Sequence, residues 1–126
     1  MKNRNLNESF SHAFNGIVQA FKTENNIKRH TLAAALMVLA AVILDISTME
    51  WIITILLIGF VVVAELLNTA IEYTVDMVCG DTYNELAKYS KDIAAGATLV
   101  AAVIAVIVGL VIYLPKVIDY ISAFIR

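Results

Sequence analysis

Apolar positions in this chain fall in long uninterrupted runs rather than in alternation, a pattern that predicts helices long enough to cross a membrane. The first run spans Thr31 to Leu44 and ends at Asp45-Ile46-Ser47-Thr48. The second begins at Trp51 and continues to Ala64. The third extends from Ile93 to Leu114 and stops at the sole proline, Pro115. A hydrocarbon core of ~30 Å needs about 20 apolar residues at ~1.5 Å each. The third run meets that length unaided. The first meets it when Ile27 to His30 sit at the interface and the helix extends to Ser47. The second meets it only when its helix continues through Glu65, which puts that carboxylate at membrane depth. The expected spans are therefore about 28–47, 51–78 and 92–114.

Ahead of them, Phe10, Phe14, Ile17 or Val18, and Phe21 recur at helical spacing, with Ser11, His12, Asn15, Gln19 and Lys22 on the other faces. This predicts an amphipathic helix over about 6–24, either flat in the interface or packed on the bundle. The chain as a whole, 1–126, reads as one all-α membrane domain.

Composition agrees. Apolar residues make up 60% of the chain, against about 45–50% in ordinary globular proteins. Charged residues are only 16%, and a net charge of -2 gives no case for nucleic acid. A single cysteine, Cys79, excludes an internal disulfide framework, and no metal-ligand partner stands near it in sequence. The first thirty residues lack a short apolar core with a small-residue cleavage site, so no cleavable signal peptide is expected. Lysine and arginine set the orientation. Lys2, Arg4, Lys22, Lys28 and Arg29 precede the first span and Lys88 and Lys91 separate the second from the third, whereas only Lys116 and Arg126 follow the third. The N terminus and the second loop are expected to be cytoplasmic and the C terminus outside. Ala97, Ala101, Ala105 and Gly109 recur at four-residue spacing on the third span, a stripe that suits either a homo-oligomer or a tight intrachain bundle.

One apolar helix breaks its own pattern. Glu65, Asn68, Glu72 and Asp76 stand at i, i+3, i+7 and i+11, within one narrow arc at ~100° per residue. Thr69 borders the arc, and Leu66, Leu67, Ile71, Val75 and Val78 occupy the other faces. If Trp51 marks the outer interface, Glu65 lies roughly 21 Å below it, Glu72 near the inner interface and Asp76 in water. A carboxylate at that depth costs at least a few kcal/mol unless it is paired, protonated or facing a polar cavity. Nothing on its own span neutralises Glu65, so a partner must come from elsewhere. The bland reading is a protonated Glu65 bonded between helices, with Glu72 and Asp76 merely solvated. Four polar groups on one arc favour function instead. Carboxylates graded from hydrocarbon to water suit a reaction between a lipid headgroup and a soluble reagent. The outer acids suit Mg²⁺, which takes one or two carboxylates plus substrate phosphates, and the deeper acid suits a base for a buried hydroxyl. Proton or cation transport would want acids at depth on more than one span, and the other two have none. Phosphoryl transfer fits better. Neither G-x-x-x-x-G-K-[ST] nor G-x-G-x-x-G occurs, so an ATP site would use other parts: Glu24, Lys28, Arg29, the segment Asp81 to Lys91, and Asp92.

The stretch Glu65-Leu-Leu-Asn-Thr-Ala-Ile-Glu-Tyr-Thr-Val-Asp76, followed by Ala87-Lys-Tyr-Ser-Lys-Asp-Ile-Ala-Ala-Gly-Ala97, closely resembles the bacterial diacylglycerol kinase family of small membrane kinases, over roughly Phe10 to Leu114. The resemblance implies three transmembrane helices with an N-terminal surface helix, a homotrimer with active sites between subunits, a bacterial plasma-membrane location and Mg-ATP as phosphoryl donor. It implies Glu65 as catalytic base, Glu72 and Glu24 as metal ligands, and Asn68 beside the γ-phosphate. It further implies Lys91 and Asp92 as a nucleotide-contacting pair supported by Asp76. Members of the family phosphorylate either diacylglycerol or undecaprenol. Asn26-Ile-Lys-Arg-His30, Met49-Glu-Trp51, Asn68-Thr-Ala-Ile-Glu72 and Asp92-Ile-Ala-Ala-Gly-Ala97 resemble the undecaprenol branch. Met77 to Glu85 looks one residue longer than the proteobacterial pattern, which weakens any assignment of Tyr83 or Asn84 to adenine or ribose, and Ser90 replaces the alanine usual before Lys-Asp. A non-catalytic membrane subunit or small channel is the alternative of another class, in which the stripe only holds helices together. His12 is read as a surface residue, His30 as an interface anchor beside Lys28 and Arg29, Trp51 as an aromatic belt residue, and Asp45 and Glu50 as solvated outer acids.

Overall fold

The computed structural model describes residues 5–125, so Lys2, Arg4 and Arg126 of the orientation count lie outside the described residues. Four helices follow one another: α1 (Leu6–Thr23), α2 (Asn25–Ile43), α3 (Thr48–Cys79) and α4 (Glu85–Ile125). The described residues hold no strand, and α2, α3 and α4 are each long and apolar enough to cross a membrane. The protein is an all-α membrane protein.

Helix ends follow local chemistry. α2 stops at Ile43, short of the extension to Ser47 that its length invited, because Asp45 takes a left-handed conformation with φ 47° and Ser47 begins the next helix instead. Aspartate is among the few non-glycine residues that visit this region routinely. Ser47 Oγ accepts the Glu50 N–H at 3.4 Å while Glu50 Oε2 accepts the Ser47 N–H at 2.7 Å, a reciprocal capping box. Glu50 also pairs with Lys116 Nζ at 3.1 Å. The expectation of a merely solvated Glu50 is thereby corrected: it ties the start of α3 to α4. α3 then runs unbroken through Glu65 to Cys79 and ends at Gly80, with φ 52°. Asn84 Oδ1 accepts the N–H groups of Leu86 and Ala87 at 2.9 and 3.1 Å and so starts α4. α4 does not end where its apolar run ends. It passes through Pro115 and continues to Ile125, since proline removes one helix donor while Val117, Ile118 and Ile121 extend the apolar spacing beyond it.

Packing uses small and polar residues more than large ones. α3 and α4 form the most extensive pair, α2 lies against α3, and α1 touches both through its last turns. On α2 the inward positions are Ile27, His30, Ala34, Met37, Ala41 and Leu44, a three-four alternation that keeps one seam facing its neighbours. On α4 they are Ala94, Ala101, Gly109 and Tyr113, with Ala105 half-buried. The small-residue stripe thus starts one turn earlier than expected, because Ala97 is exposed and Ala94 takes the inward place. A Cβ at Gly109 would touch Met37 Cε at 3.5 Å, so the Met37 side chain reaches from α2 to the backbone of α4 there. At one end Ala41, Ile46 and Tyr113 form a core joined by Trp51, and Tyr113 Oη bonds Thr54 Oγ1 at 2.9 Å. Trp51 therefore both stands at the first turn of α3 and packs inward. At the other end Tyr73 Oη donates to Thr23 Oγ1 at 2.7 Å, pinning the end of α1 to α3. Ala20 is buried there, while Phe10 and Phe14 remain exposed among the described residues.

Candidate active site

The inward face of α3 carries the polar stripe, and its burial is graded. Glu65 is 3% exposed and Asn68 7%, Glu72 is half-buried, and Asp76 is exposed. A charged group enclosed at depth needs a partner, and α2 supplies it. His30 Nε2 stands 3.0 Å from Glu65 Oε1, within ion-pair distance. His30 is accordingly no interface anchor. It occupies the inward seam of α2, while Lys28 reaches the Lys22 carbonyl and Asn25 and Arg29 reaches Asn26, all exposed. The signal that would have found it is the three-four alternation from Ile27 to Leu44, which puts His30 on the buried side of that helix. Thr69, buried beside the pair, donates to the Glu65 backbone carbonyl at 3.0 Å and keeps its hydroxyl within the helix.

One turn further, Asn68 Nδ2 donates to Glu72 Oε1 at 2.9 Å. The other end of that amide, Oδ1, is buried without a hydrogen-bond partner among the described residues. A buried acceptor left open costs roughly 1–3 kcal/mol, and such groups are rare enough that each asks for a ligand. Beyond Glu72 the stripe meets α4: Lys91 Nζ forms an ion pair with Asp76 Oδ1. Around it lies a pocket of about 280 Å³ lined by Asp76, Thr82, Tyr83, Lys88, Lys91 and Asp92. Asn84 borders it too, with its side-chain oxygen engaged in the α4 cap. On the far side of the buried pair, His30 borders an apolar cavity of about 450 Å³ that runs between α2, α3 and α4 toward Tyr113.

Glu24 is half-buried at the junction of α1 and α2. The Tyr73–Thr23 bond holds that junction beside the turn of α3 that carries Glu72. No three carboxylate, imidazole or thiol groups converge among the described residues. The oxygen donors here, the Glu72 and Glu24 carboxylates and the open Asn68 Oδ1, have the hard chemistry that Mg²⁺ selects, and Mg²⁺ binds through few protein ligands. They fit that ion. His12 is exposed on α1, as the sequence implied.

Spanning helices, an enclosed carboxylate with an apolar cavity on one side, and a charged pocket about three helix turns beyond it on the other define an integral membrane enzyme. Residues 11–113 match the family model described as prokaryotic diacylglycerol kinase. The undecaprenol kinase of Bacillus subtilis is 48% identical over 109 residues, covering 86% of this chain and 88% of that protein. A diacylglycerol kinase of Synechocystis is 43% identical over 88% of this chain and 63% of its own length, and that of Escherichia coli K12 is 32% identical over 76% and 78%. The chain belongs to the prokaryotic diacylglycerol kinase family and is a membrane lipid kinase. That membership sets aside the non-catalytic subunit and the channel.

Proposed function

We propose that the protein transfers the γ-phosphoryl group of ATP to the hydroxyl of undecaprenol, with Glu65 as general base. The observation that carries this reading is the gradient along α3, from Glu65 enclosed between helices, through the open Asn68 amide, to the charged pocket around Lys91. The choice of undecaprenol rests on the Bacillus subtilis enzyme, 48% identical over most of both chains. Diacylglycerol is the second reading, favoured by the names of the Synechocystis and Escherichia coli relatives.

In this mechanism Lys91 and Asp92 contact the nucleotide, and Asp76 fixes the Lys91 ammonium through their ion pair. Glu72 and Glu24 would hold Mg²⁺, which when bound would neutralise charge on the triphosphate. Asn68 keeps its NH₂ on Glu72, and its open Oδ1 would add an oxygen donor for such an ion. The lipid hydroxyl reaches Glu65 from the apolar cavity that His30 borders, its chain lying among Ala34, Met37 and Val61. Glu65 accepts the hydroxyl proton as that oxygen attacks the γ-phosphorus. The bond from phosphorus to the bridging oxygen of ADP breaks, giving a lipid phosphate and ADP. Burial serves the chemistry, since a site closed to water passes phosphate to the lipid rather than to hydroxide.

The reading extends to assembly and orientation. We take the N terminus and the α3–α4 loop as cytoplasmic, supported by Lys22, Lys28, Arg29, Lys88 and Lys91 gathered at that end against Lys116 at the other. The plasma membrane follows, and a homotrimer with sites between subunits agrees with the many apolar side chains each helix leaves uncovered in one chain. Radiolabel transfer from ATP to undecaprenol and to diacylglycerol, side by side in mixed micelles, tests the activity. Faster labelling of undecaprenol is expected; preferential labelling of diacylglycerol would exchange the two readings, and no labelling of either would refute both.

A further inference from the structure

Among the basic residues that open α2, His30 alone turns inward, and it meets the one carboxylate enclosed in the bundle. We infer that His30 is a positioning residue for the reaction: its Nε2–H holds one oxygen of Glu65 so that the other faces the lipid hydroxyl. The inference rests on the assignment of Glu65 as base.

A glutamate side chain has three rotatable bonds, and in an apolar setting nothing but a specific hydrogen bond selects the rotamer that aims a lone pair at the substrate. His30 Nε2, on a different helix, stands 3.0 Å from Glu65 Oε1, close enough to give that bond. The Glu65 side chain is 4% exposed and that of His30 is 31% exposed, so the imidazole is the outer member of the pair. Neither Asn68, which is turned to Glu72, nor Thr69, which is turned to the Glu65 backbone, supports the carboxylate. The one polar restraint on the base among the described residues is therefore His30. The ring is itself held by its helix, whose inward seam packs Ile27 one turn before it at 2% exposure. His30 also borders the apolar cavity, so one side chain stands where a lipid chain and the carboxylate meet.

A bond that positions the base predicts a loss in kcat rather than in nucleotide affinity, because misplacing a reacting group by ~1 Å costs on the order of a hundredfold in rate. Glutamine places its amide N–H close to where the histidine Nε2–H stood, so it restores the bond without an imidazole. The test measures kcat, the KM for ATP and the KM for undecaprenol for the full-length protein in mixed micelles, with His30→Ala, His30→Gln, Glu65→Gln and the double variant His30→Ala/Glu65→Gln. Glu65→Gln is expected to abolish turnover. His30→Ala should lower kcat about tenfold to a hundredfold with an unchanged KM for ATP, and His30→Gln should recover to within about threefold of wild type. The double variant should be no slower than Glu65→Gln alone, since residues acting as one unit are not additive. Wild-type kcat in His30→Ala, with Glu65→Gln inactive, would overturn the positioning role and leave the base assignment standing. An active Glu65→Gln protein would overturn both. Where the alanine variant does not assemble, His30→Met, which keeps the bulk but has no N–H to give, takes its place: a loss of about tenfold or more in kcat with an unchanged KM for ATP upholds the role, and wild-type kcat ends it.

Discussion

Asn68 shows how much one side chain can say about a site. It is 7% exposed, gives its NH₂ to Glu72 and leaves its oxygen without a partner among the described residues. An amide that served only to hold helices together would use both ends. Replacing Asn68 with Leu removes the open acceptor but also frees Glu72, so turnover should drop by about two orders of magnitude while thermal stability in detergent stays near wild type. Radiolabel transfer and melting of the same preparation check both halves. In the proposed mechanism the Lys91–Asp76 pair belongs to a different step. Lys91→Ala should raise the KM for ATP about tenfold or more, the loss of one charge-assisted contact, and leave the KM for lipid unchanged. The stripe itself was legible in the sequence, since four polar groups on one arc of an apolar helix admit few readings. Its partner was not. His30 sits in a basic cluster that reads as headgroup contact, and only the seam of α2 separates it from Lys28 and Arg29.

At the scale of elements, helix ends carry the information that apolar runs lack. The runs announced three spans, but α2 ends early because Ser47 is needed as the cap of α3, and α4 ends late because Pro115 removes a single donor from a helix packed on its neighbours. Neither outcome is a matter of hydrophobicity. Ser47→Ala should cost about 1 kcal/mol, the usual value of such a cap, visible as a lowered melting temperature in detergent. Glu50 stands ahead of the apolar run that begins at Trp51, outside the membrane-spanning stretch. The Ser47 backbone N–H, then its hydroxyl and the Lys116 ammonium, hold the Glu50 carboxyl below the usual carboxylate range. A depressed carboxyl contributes stability above its unfolded value, and that contribution disappears as pH falls through the folded value. The melting temperature of wild type should therefore decline below about pH 4.3 by more than that of Glu50→Gln. Parallel profiles for the two proteins would remove Glu50 from acid stability.

For the whole molecule, the division of labour follows the membrane normal. One end is a structural clasp of Trp51, Tyr113, Thr54, Glu50 and Lys116; the other gathers the buried pair, the open amide and the charged pocket. Cys79 reports on this arrangement. It is the only cysteine and lies half-buried beside the pocket, close to the α3–α4 turn. With the orientation proposed above, a membrane-impermeant maleimide should label it in inverted vesicles and not in intact cells, and bound nucleotide should slow the labelling. Labelling from intact cells would reverse the orientation. The proposed trimer is a question for the assembled protein, because a single chain leaves side chains such as Leu56, Phe60 and Leu67 uncovered on α3, and lipid and another subunit would be equally apolar covers.

The unequal lengths of the three spans set the bilayer in which the enzyme works. α2 has 19 residues, about 28 Å of helix, whereas α4 has 41, about 61 Å. A long rod fits a thick membrane upright and a thin one by tilting, but a short rod has no such freedom: it must thin the lipid around it or drag its polar end inward. That polar end is where α2 carries His30. Thick bilayers should therefore strain the helix that holds the partner of Glu65, the proposed base, and turnover in vesicles of increasing acyl length should fall on the thick side sooner than on the thin side.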